Sequence, residues 1–567
     1  MKILLVQPPV QDFFDTDIRL QPIGLCYLKA ALEHNVPGIE VVIRDYHTGM
    51  GRKTVPVPKE LRYLKSYYPL ADKSPFCSFH QYYHFGLGFD AIEQDIALLA
   101  PDIVGISSLF TAYFREALEV AKRVKQRLNI PVVLGGSHVS AVPETVLSHP
   151  AVDYVIRGEG ERPLVELIRC LRGELDVSEV SNLGYKQSGS LVFTQMRDNF
   201  AIDDIPLPDL SALPLTKYHM GKKPLAFMIT SRSCPHKCTF CSVHATFGKT
   251  YRRRQVENVL EEIRQRYRQG YRVIDFEDDN LTYYKPQFKQ LCQALIEEYP
   301  DRELELVAMN GISYLSLDGE LLELMWQAGF SKLNLALVSS DKTVRDTTKR
   351  PHTLERYVQV VHKAQSLGLR TVSYQILGLP MESLESMVQT LAFNIRLPVL
   401  LGASPFYRIP NSPIAKGVTL NEQDFVSARL TALGVNGAEV EREDVYTLFI
   451  TTRIINFLKG LNPAANIQFV KFLNSPGTDR SRLGLWLLNK LMNEEILFFY
   501  SQNRFVANRL FRPGLFFKVL DEAAVIGCLN GQTIEGLVNP ARKLTAGVNA
   551  AYNNCDILPG ATSRNPF

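Results

Sequence analysis

The feature that most constrains the fold is a twice-repeated alternation of short apolar runs with helical periodicity. Residues 3–6, 40–44, 103–107, 131–134 and 152–156 are β-branched or apolar runs of strand length. Helical spacing lies between them, clearest at 24–33 and 115–128. Parallel strands need a crossover of a dozen or more residues, so this pattern predicts a parallel sheet covered by helices on both faces. The alternation restarts at Leu225. Strands are expected at 226–230, 273–277, 305–309, 332–338, 371–377 and 400–407, with helices at 256–269, 285–299, 319–327, 354–367 and 384–395. Six such units in one run predict an open or partial barrel. In both architectures, ligands meet the carboxyl ends of the strands.

At 567 residues the chain is too long for one core. The expected units are 1–175, a linker at 176–222 rich in Asp, Pro and Ser, a barrel at 223–414, and a mostly helical unit at 415–567. In the last unit, 445–458 and 483–497 are the clearest helices, and the final stretch of about 25 residues lacks periodicity and reads as mobile. Tyr446, Phe449, Phe498, Phe499 and Tyr500 read as core aromatics. The irregular, Tyr-rich stretch from Tyr63 to Phe89 suits either a cover over the junction of the first two units or a surface loop.

Lys and Arg number 63 against 59 Asp and Glu, a net charge of +4. Spread over the whole chain, that gives no basic patch for nucleic acid. No apolar run is long enough to span a bilayer. The opening MKILLVQPPV reads as a first strand rather than a secretion signal, so a cytoplasmic protein is expected.

Nine cysteines are too few and too scattered for a disulfide framework. Cys26, Cys77, Cys170, Cys292, Cys528 and Cys555 read as small buried hydrophobes. Cys234, Cys238 and Cys241 differ: they lie in one short loop, Ser233-Cys234-Pro235-His236-Lys237-Cys238-Thr239-Phe240-Cys241, after the first barrel strand. Thiolates are the ligands preferred by iron–sulfur clusters and by zinc. Three of them leave a cubane with one open iron. With His236 or His244 as fourth ligand they would close a zinc site.

The CxxxCxxC spacing, with Phe240 before the last cysteine, resembles the radical S-adenosylmethionine (SAM) superfamily. Other strand ends share the resemblance. Phe276-Glu277-Asp278-Asp279-Asn280 is similar to the acidic motif that receives the SAM amino group. Asn310-Gly311 follows the third strand. Gln375-Ile376-Leu377-Gly378-Leu379-Pro380 resembles the motif that cradles adenine, and Phe406-Tyr407 ends the sixth strand. The fourth strand departs from the family's Gly-x-Glu-Ser-Gly ending: it reads Ala336-Leu337-Val338-Ser339-Ser340 and keeps only a hydroxyl, Ser339, for the SAM carboxylate or ribose. Lys349-Arg350 either supplies a cation for that carboxylate or is a solvated helix end. The resemblance thus implies SAM contacts from Phe240, Glu277, Asp278, Asp279, Asn310, Ser339, Gly378 and Phe406.

The segments QPIGLCYLKAAL, PDIVGISSLFTAYFREAL, IPVVLGGSHVSAVPE and VDYVIRGEGERPLVELI resemble the cobalamin-binding domain fused to many radical SAM proteins. Gly24, Ser107, Ser108, Gly135, Gly136, His138, Gly158, Glu159 and Gly160 are the positions this implies for the cofactor. Glycine there lets a ligand approach the backbone; ordinary turn chemistry is the alternative. The loop Gln7–Asp17 holds no histidine to ligate cobalt, and Asp45-Tyr46-His47 lacks the required glycine spacing.

The resemblance therefore implies an α/β protein with an N-terminal Rossmann-like doubly wound parallel sheet, a central partial (β/α)6 radical SAM barrel and a mostly helical C-terminal domain. It implies a [4Fe-4S] cluster, SAM and cobalamin, a small-molecule substrate, and a one-electron donor such as flavodoxin or ferredoxin. The first expectation for function is C-methylation of an unactivated carbon. Cyclisation or oxidative rearrangement without methyl transfer is the second, and a binding module without catalysis the third. RNA-modifying relatives carry a second N-terminal cysteine triad, which is absent here.

Overall fold

The computed structural model describes residues 1–16, 20–69, 72–350, 353–435, 440–460 and 479–523. The expected mobile end, Cys528 and Cys555 lie outside these residues.

The N-terminal sheet is built on β1 (Lys2–Gln7), β2 (Glu40–Asp45), β3 (Ile103–Ser107), β4 (Val132–Gly135) and β5 (Tyr154–Ile156), all parallel. β1 lies inside the sheet, between β3 and β2, and is apolar on both faces. Ile3 and Leu5 pack with Leu25 and Leu32 of the helix Ile23–Asn35. Leu4 and Val6 pack on the opposite side with Ile92, Ile96 and Val120. Each fully buried side chain of this kind contributes about 1.5–3 kcal/mol. Part of the expected linker joins this sheet: β6 (Leu183–Gln187) and β7 (Ser190–Phe193) form an antiparallel hairpin beside β5, giving the order β7-β6-β5-β4-β3-β1-β2.

In the barrel, β8 (Lys223–Met228), β9 (Val273–Phe276) and β10 (Glu305–Val307) pair in parallel, as do β11 (Lys332–Val338), β12 (Arg370–Leu377) and β13 (Leu400–Pro405). Parallel bridges Leu306–Phe330 and Ile312–Leu335 join the two halves. The intervening helices are Val256–Arg268, Lys285–Glu298, Gly319–Gln327, Leu354–Ser366 and Leu384–Ile395. Side-chain caps from Asp318, Thr353 and Ser383 start the last three.

Both barrel edges are covered, which removes templates for edge-to-edge pairing. At one, Asn456 of the helix Arg442–Gly460 donates to the Leu401 carbonyl and accepts from its N–H, both at 2.8 Å. At the other, Gln21 from the N-terminal unit accepts from Phe227 N at 2.6 Å and donates to Leu225 O at 3.2 Å.

The C-terminal helices Arg442–Gly460, Arg480–Glu494 and Pro513–Glu522 flank a hairpin, Phe498–Ser501 with Arg504–Ala507. Tyr446 and Phe449 are buried, but Phe498, Phe499 and Tyr500 lie on the hairpin and are only half-buried, because a two-stranded ribbon has one open face. The Tyr-rich stretch is an inter-unit contact of another kind from that expected. Tyr67 and Phe79 pack on Tyr446 and Phe449, and the Tyr68 hydroxyl donates to Thr431 O at 2.7 Å. It covers the C-terminal helices. Among the described residues no helix is long and apolar enough to cross a membrane.

Candidate functional site

The carboxyl ends of the N-terminal strands open into a cavity of about 270 Å³. Gly24, Ser107, Gly135, Gly136, Gly158, Glu159 and Gly160 line it, with Gln21, Tyr27 and Leu109. Gly136 is required by the backbone. Its φ is +113°, and a Cβ there would sit 2.6 Å from the Ser108 carbonyl oxygen. Ser108 itself is buried and is absent from the cavity wall, as is His138. His138 packs between Phe114 and Phe425, with Nδ1 3.2 Å from Thr111 Oγ1 and Nε2 buried without a partner. Burial lowers its pKa to about 4, and the ring sits among core aromatics behind the cavity wall.

The cavity's remaining wall comes from the barrel: Ile229, Arg232, Thr246 and Phe247. These residues bracket the cysteine loop. Arg232 is 5% exposed; it donates to Glu159 Oε1 at 2.5 Å and Glu161 Oε1 at 2.6 Å, and lies over the Tyr27 ring at 5.3 Å. Arg252 takes the other Glu159 oxygen at 2.7 Å. Sequence reasoning placed the Glu159–Glu161 loop here but missed Arg232 and Gln21. A Ser-Arg-Ser triplet abutting Cys234, and the Gln of QPIG, were the signals on offer.

Within the loop each cysteine has a polar neighbour. Cys234 Sγ accepts from Asn280 Nδ2 at 3.4 Å and from the His236 backbone N–H. Arg350 Nη1 lies 3.6 Å from Cys238 Sγ, and the Val243 N–H reaches Cys241. Burial raises the Cys234 thiol, and raises Cys241 to about 11, while these N–H groups pull the other way by favouring thiolate. N–H groups aimed at sulfur suit a loop that holds an iron–sulfur cluster. Of the zinc alternatives, His244 Nε2 is engaged with the Cys234 carbonyl at 2.7 Å and His236 packs edge-on to Tyr283. Among the described residues, no three His, Cys, Asp or Glu side chains are gathered to hold a single metal ion.

The residues expected around SAM divide into two groups. Glu277 is half-buried, and Asp279 and Asn310 are exposed at the barrel mouth. Asp279 Oδ2 accepts the Ser233 N–H at 3.1 Å; crowding on its inner side and the Asp278 carboxylate push its pKa up to about 7. Asn310 donates to the Glu277 carbonyl at 3.2 Å. Phe240 and Phe406 join Val338 and Leu379, next to Gly378, in one apolar cluster.

Two of the expected residues are turned inward. Asp278 is 2% exposed and accepts from Thr230 N, Thr230 Oγ1 and Ser231 Oγ, so its carboxylate is consumed holding the β8 turn. Ser339 is fully buried, with Oγ 3.1 Å from Thr390 Oγ1 and accepting the Asp341 N–H at 3.2 Å; it secures the fourth strand end instead of facing the mouth. There Val338 adopts φ +73°, unusual for a β-branched residue, at a bulge between Ala336 and Val338. Arg350 Nη2 donates to Ala336 O at 2.6 Å, so the cation after the fourth strand serves the turn and the cysteine loop.

Comparison with known proteins agrees with this arrangement. A model of the Radical SAM superfamily matches residues 228–393, and a model of the B12 binding domain matches residues 78–168. The chain is 28% identical over 407 residues to an uncharacterized methyltransferase of Pyrococcus horikoshii, covering 70% of this chain and 79% of that one. It is 27% identical over 418 residues to cytidylyl-2-hydroxyethylphosphonate methyltransferase of Streptomyces wedmorensis, covering 67% and 73%. To the anaerobic magnesium-protoporphyrin IX monomethyl ester cyclase of Rubrivivax gelatinosus it is 27% identical over 319 residues, covering 54% and 56%. Among solved structures, the radical SAM methyltransferase TsrM of Kitasatospora setae, with cobalamin and a [4Fe-4S] cluster bound, has a TM-score of 0.59 at 15% identity, covering 85% of this chain and 98% of that one. The cobalamin-dependent radical SAM enzyme OxsB, with aqua-cobalamin and SAM bound, has a TM-score of 0.58 at 14% identity, covering 94% and 79%.

Fold and sequence together define a radical SAM enzyme with an N-terminal B12-binding domain. More particularly, its relatives include proteins of methyltransferase type, and the two domains imply a [4Fe-4S] cluster, SAM and cobalamin as cofactors.

Proposed function

We propose that this enzyme methylates an unactivated carbon of a small molecule, with Cys234, Cys238 and Cys241 holding the cluster and the N-terminal cavity holding the nucleotide tail of cobalamin. The observation that carries the reading is the shared wall: the cavity at the Rossmann-like strand ends is closed by Arg232, Thr246 and Phe247, which flank the cysteine loop. When bound, the cluster supplies the electron that splits SAM, and cobalamin carries the methyl group to be transferred.

The chain's own residues position and shield. Asn280 and the loop N–H groups favour the thiolate form of Cys234 and Cys241, and Arg350 lies against Cys238. Glu277, Asp279 and Asn310 offer acceptors for the SAM ammonium at the barrel mouth. Phe240 and Phe406 form an apolar bed beside Gly378, suited to a purine ring. Gly135, Gly136 and Gly158 leave room for a ligand against the backbone. Neither a catalytic acid nor a catalytic base is needed for this assignment.

Electrons come from an external donor such as flavodoxin or ferredoxin. A groove lined by Pro235, His236, Lys237, Arg345, Asp346, Lys349 and Arg350 includes part of the cysteine loop, and its cations, with Lys237 and Lys349 exposed, outnumber its one carboxylate, which suits an acidic carrier. The described cysteines are all free, which suits a reducing cytoplasm.

The test is anaerobic turnover of protein reconstituted with iron, sulfide and hydroxocobalamin, given SAM, a reductant and a candidate substrate. Product one CH2 heavier, formed with S-adenosylhomocysteine, is expected. Turnover without either would favour the second reading, a cyclisation or oxidative rearrangement, for which the likeness to a cyclase speaks over about half the chain. The methyltransferase relatives match over more of it.

A further inference from the structure

The cysteine loop is fastened at both ends to the wall of the N-terminal cavity. Just before Cys234, Arg232 crosses between the units and spends its guanidinium on Glu159 and Glu161. All three side chains are at least nine-tenths buried, so the network is shielded from solvent and salt. Glu161 is held in turn by Asn199 Nδ2 at 2.7 Å. Just after Cys241, the short helix Val243–Phe247 lies on the same wall: Thr246 Oγ1 donates to Ser137 Oγ at 3.1 Å, and the Thr246 carbonyl abuts Gly158. Gln21, also in the wall, pins the strand leading into the loop through Leu225 and Phe227.

Tyr27, Glu159, Glu161, Arg232, Thr246 and Phe247 therefore belong at once to the cavity and to the mounting of the cysteines. A ligand that fills the cavity must touch the groups that set the loop's position. Where Gly136, Gly158 and Gly160 line the cavity a ligand meets backbone, and the polar anchor of the loop stands in the same wall.

We propose that Arg232 is a positioning residue that couples the two cofactor sites, so that occupancy of the N-terminal cavity and assembly of the cluster strengthen each other. The proposal rests on the reading above, that the cavity takes cobalamin and the loop takes the cluster. Coupling of this kind is reciprocal: the factor by which cobalamin tightens the cluster equals the factor by which the cluster tightens cobalamin.

The experiment measures hydroxocobalamin dissociation constants for the full-length chain, anaerobically, in cluster-free and iron-sulfide-reconstituted forms, together with the half-life of the cluster absorbance under a chelator with and without hydroxocobalamin. In the wild-type protein the reconstituted form binds at least about 5-fold more tightly, and bleaching slows when cobalamin is present. Arg232→Met paired with Glu161→Gln removes the central ion pair without leaving a buried charge unopposed. In that variant the ratio of the two constants falls to about one, even if both constants weaken. Arg232→Lys, which retains the charge but not the two-pronged reach, gives an intermediate ratio. A wild-type ratio near one overturns the proposal. So does a variant that keeps the wild-type ratio. Failure of the wild-type chain to take up either cobalamin or a cluster would overturn the underlying assignment instead, and the two uptake spectra separate that case. If the paired variant does not fold, Arg232→Lys still tests the part played by Arg232, and the chelator half-life of the wild-type protein tests the coupling itself.

Discussion

His138 gives a pH signature that separates a core histidine from a cofactor contact. Its ring is 1% exposed, wedged between Phe114 and Phe425, and burial lowers its pKa from the usual 6.5 to about 4. Between those two values the unfolded chain binds the proton and the folded chain refuses it. Stability from this site is therefore complete above pH 6.5 and is lost as pH falls towards 4. With those endpoints, linkage puts the loss at about 2 kcal/mol by pH 5, relative to pH 7.5. For a unit of this size that is about 4–8 °C of thermal midpoint. The assay is thermal unfolding of wild type and His138→Phe from pH 7.5 to 5. The phenylalanine keeps an aromatic ring against its neighbours and cannot titrate. Other groups titrate in both proteins, so the difference between the two curves isolates His138. The wild-type midpoint should fall further than the variant's by that amount, with the gap opening below pH 6.5. Parallel curves would refute the reasoning, because they would mean that His138 is protonated as readily in the folded protein as in the unfolded one.

Cys234→Ser, Cys238→Ser and Cys241→Ser are each expected to lose the iron–sulfur absorbance after anaerobic reconstitution while leaving hydroxocobalamin binding within about 10-fold of wild type, read by optical titration. Gly136→Ala and Gly135→Ala should behave differently. The first forces a Cβ to 2.6 Å from the Ser108 oxygen at φ +113° and should cost about 1–3 kcal/mol in denaturant unfolding. The second has open space around its Cβ and lines the cavity, so it should spare stability and weaken hydroxocobalamin binding. Lys237→Glu with Lys349→Glu should slow turnover driven by reduced flavodoxin, more so at low ionic strength, and leave turnover driven by a small chemical reductant unchanged.

The parallel strands were legible because a two-faced apolar run bounded by glycine has few other fates, and their observed bounds differ from expectation by a few residues at most. The hairpin β6–β7 was read as linker because its surroundings are rich in Asp, Pro and Ser. Its signal was local: Ser188 and Gly189 take φ +50° and +82° between two short apolar runs, the geometry of a tight two-residue turn. The same holds for Gln502 and Asn503, at φ +50° and +60°, which turn the chain after Phe498–Ser501, where core aromatics were expected. The seating of the Tyr-rich stretch could not be read, because it depends on helices more than 350 residues away in the chain.

At the site, sequence reasoning found the right loops more often than the right atoms, and the reason is physical. A carboxylate at a strand end can meet a ligand or satisfy the turn it sits in, and both uses favour the same residue types. Asp279 and Asn310 open to solvent, whereas Asp278, one residue from Asp279, is sealed by Thr230 and Ser231. Ser339 shares that fate through Thr390. Such buried polar groups still serve the site, because they fix the turns that carry the exposed ones; losing Asp278 would leave the Thr230 and Ser231 hydroxyls without their acceptor directly ahead of Arg232 and Cys234. The distinction extends to the fourth strand. Its missing glutamate is not replaced by another mouth-facing acid: the turn is closed from within by Ser339, Thr390 and the Arg350–Ala336 contact, while Val338 holds a left-handed conformation that packing with Phe406 and Leu379 must sustain. The polar groups offered at the mouth therefore come from the second and third strands, and the fourth contributes shape.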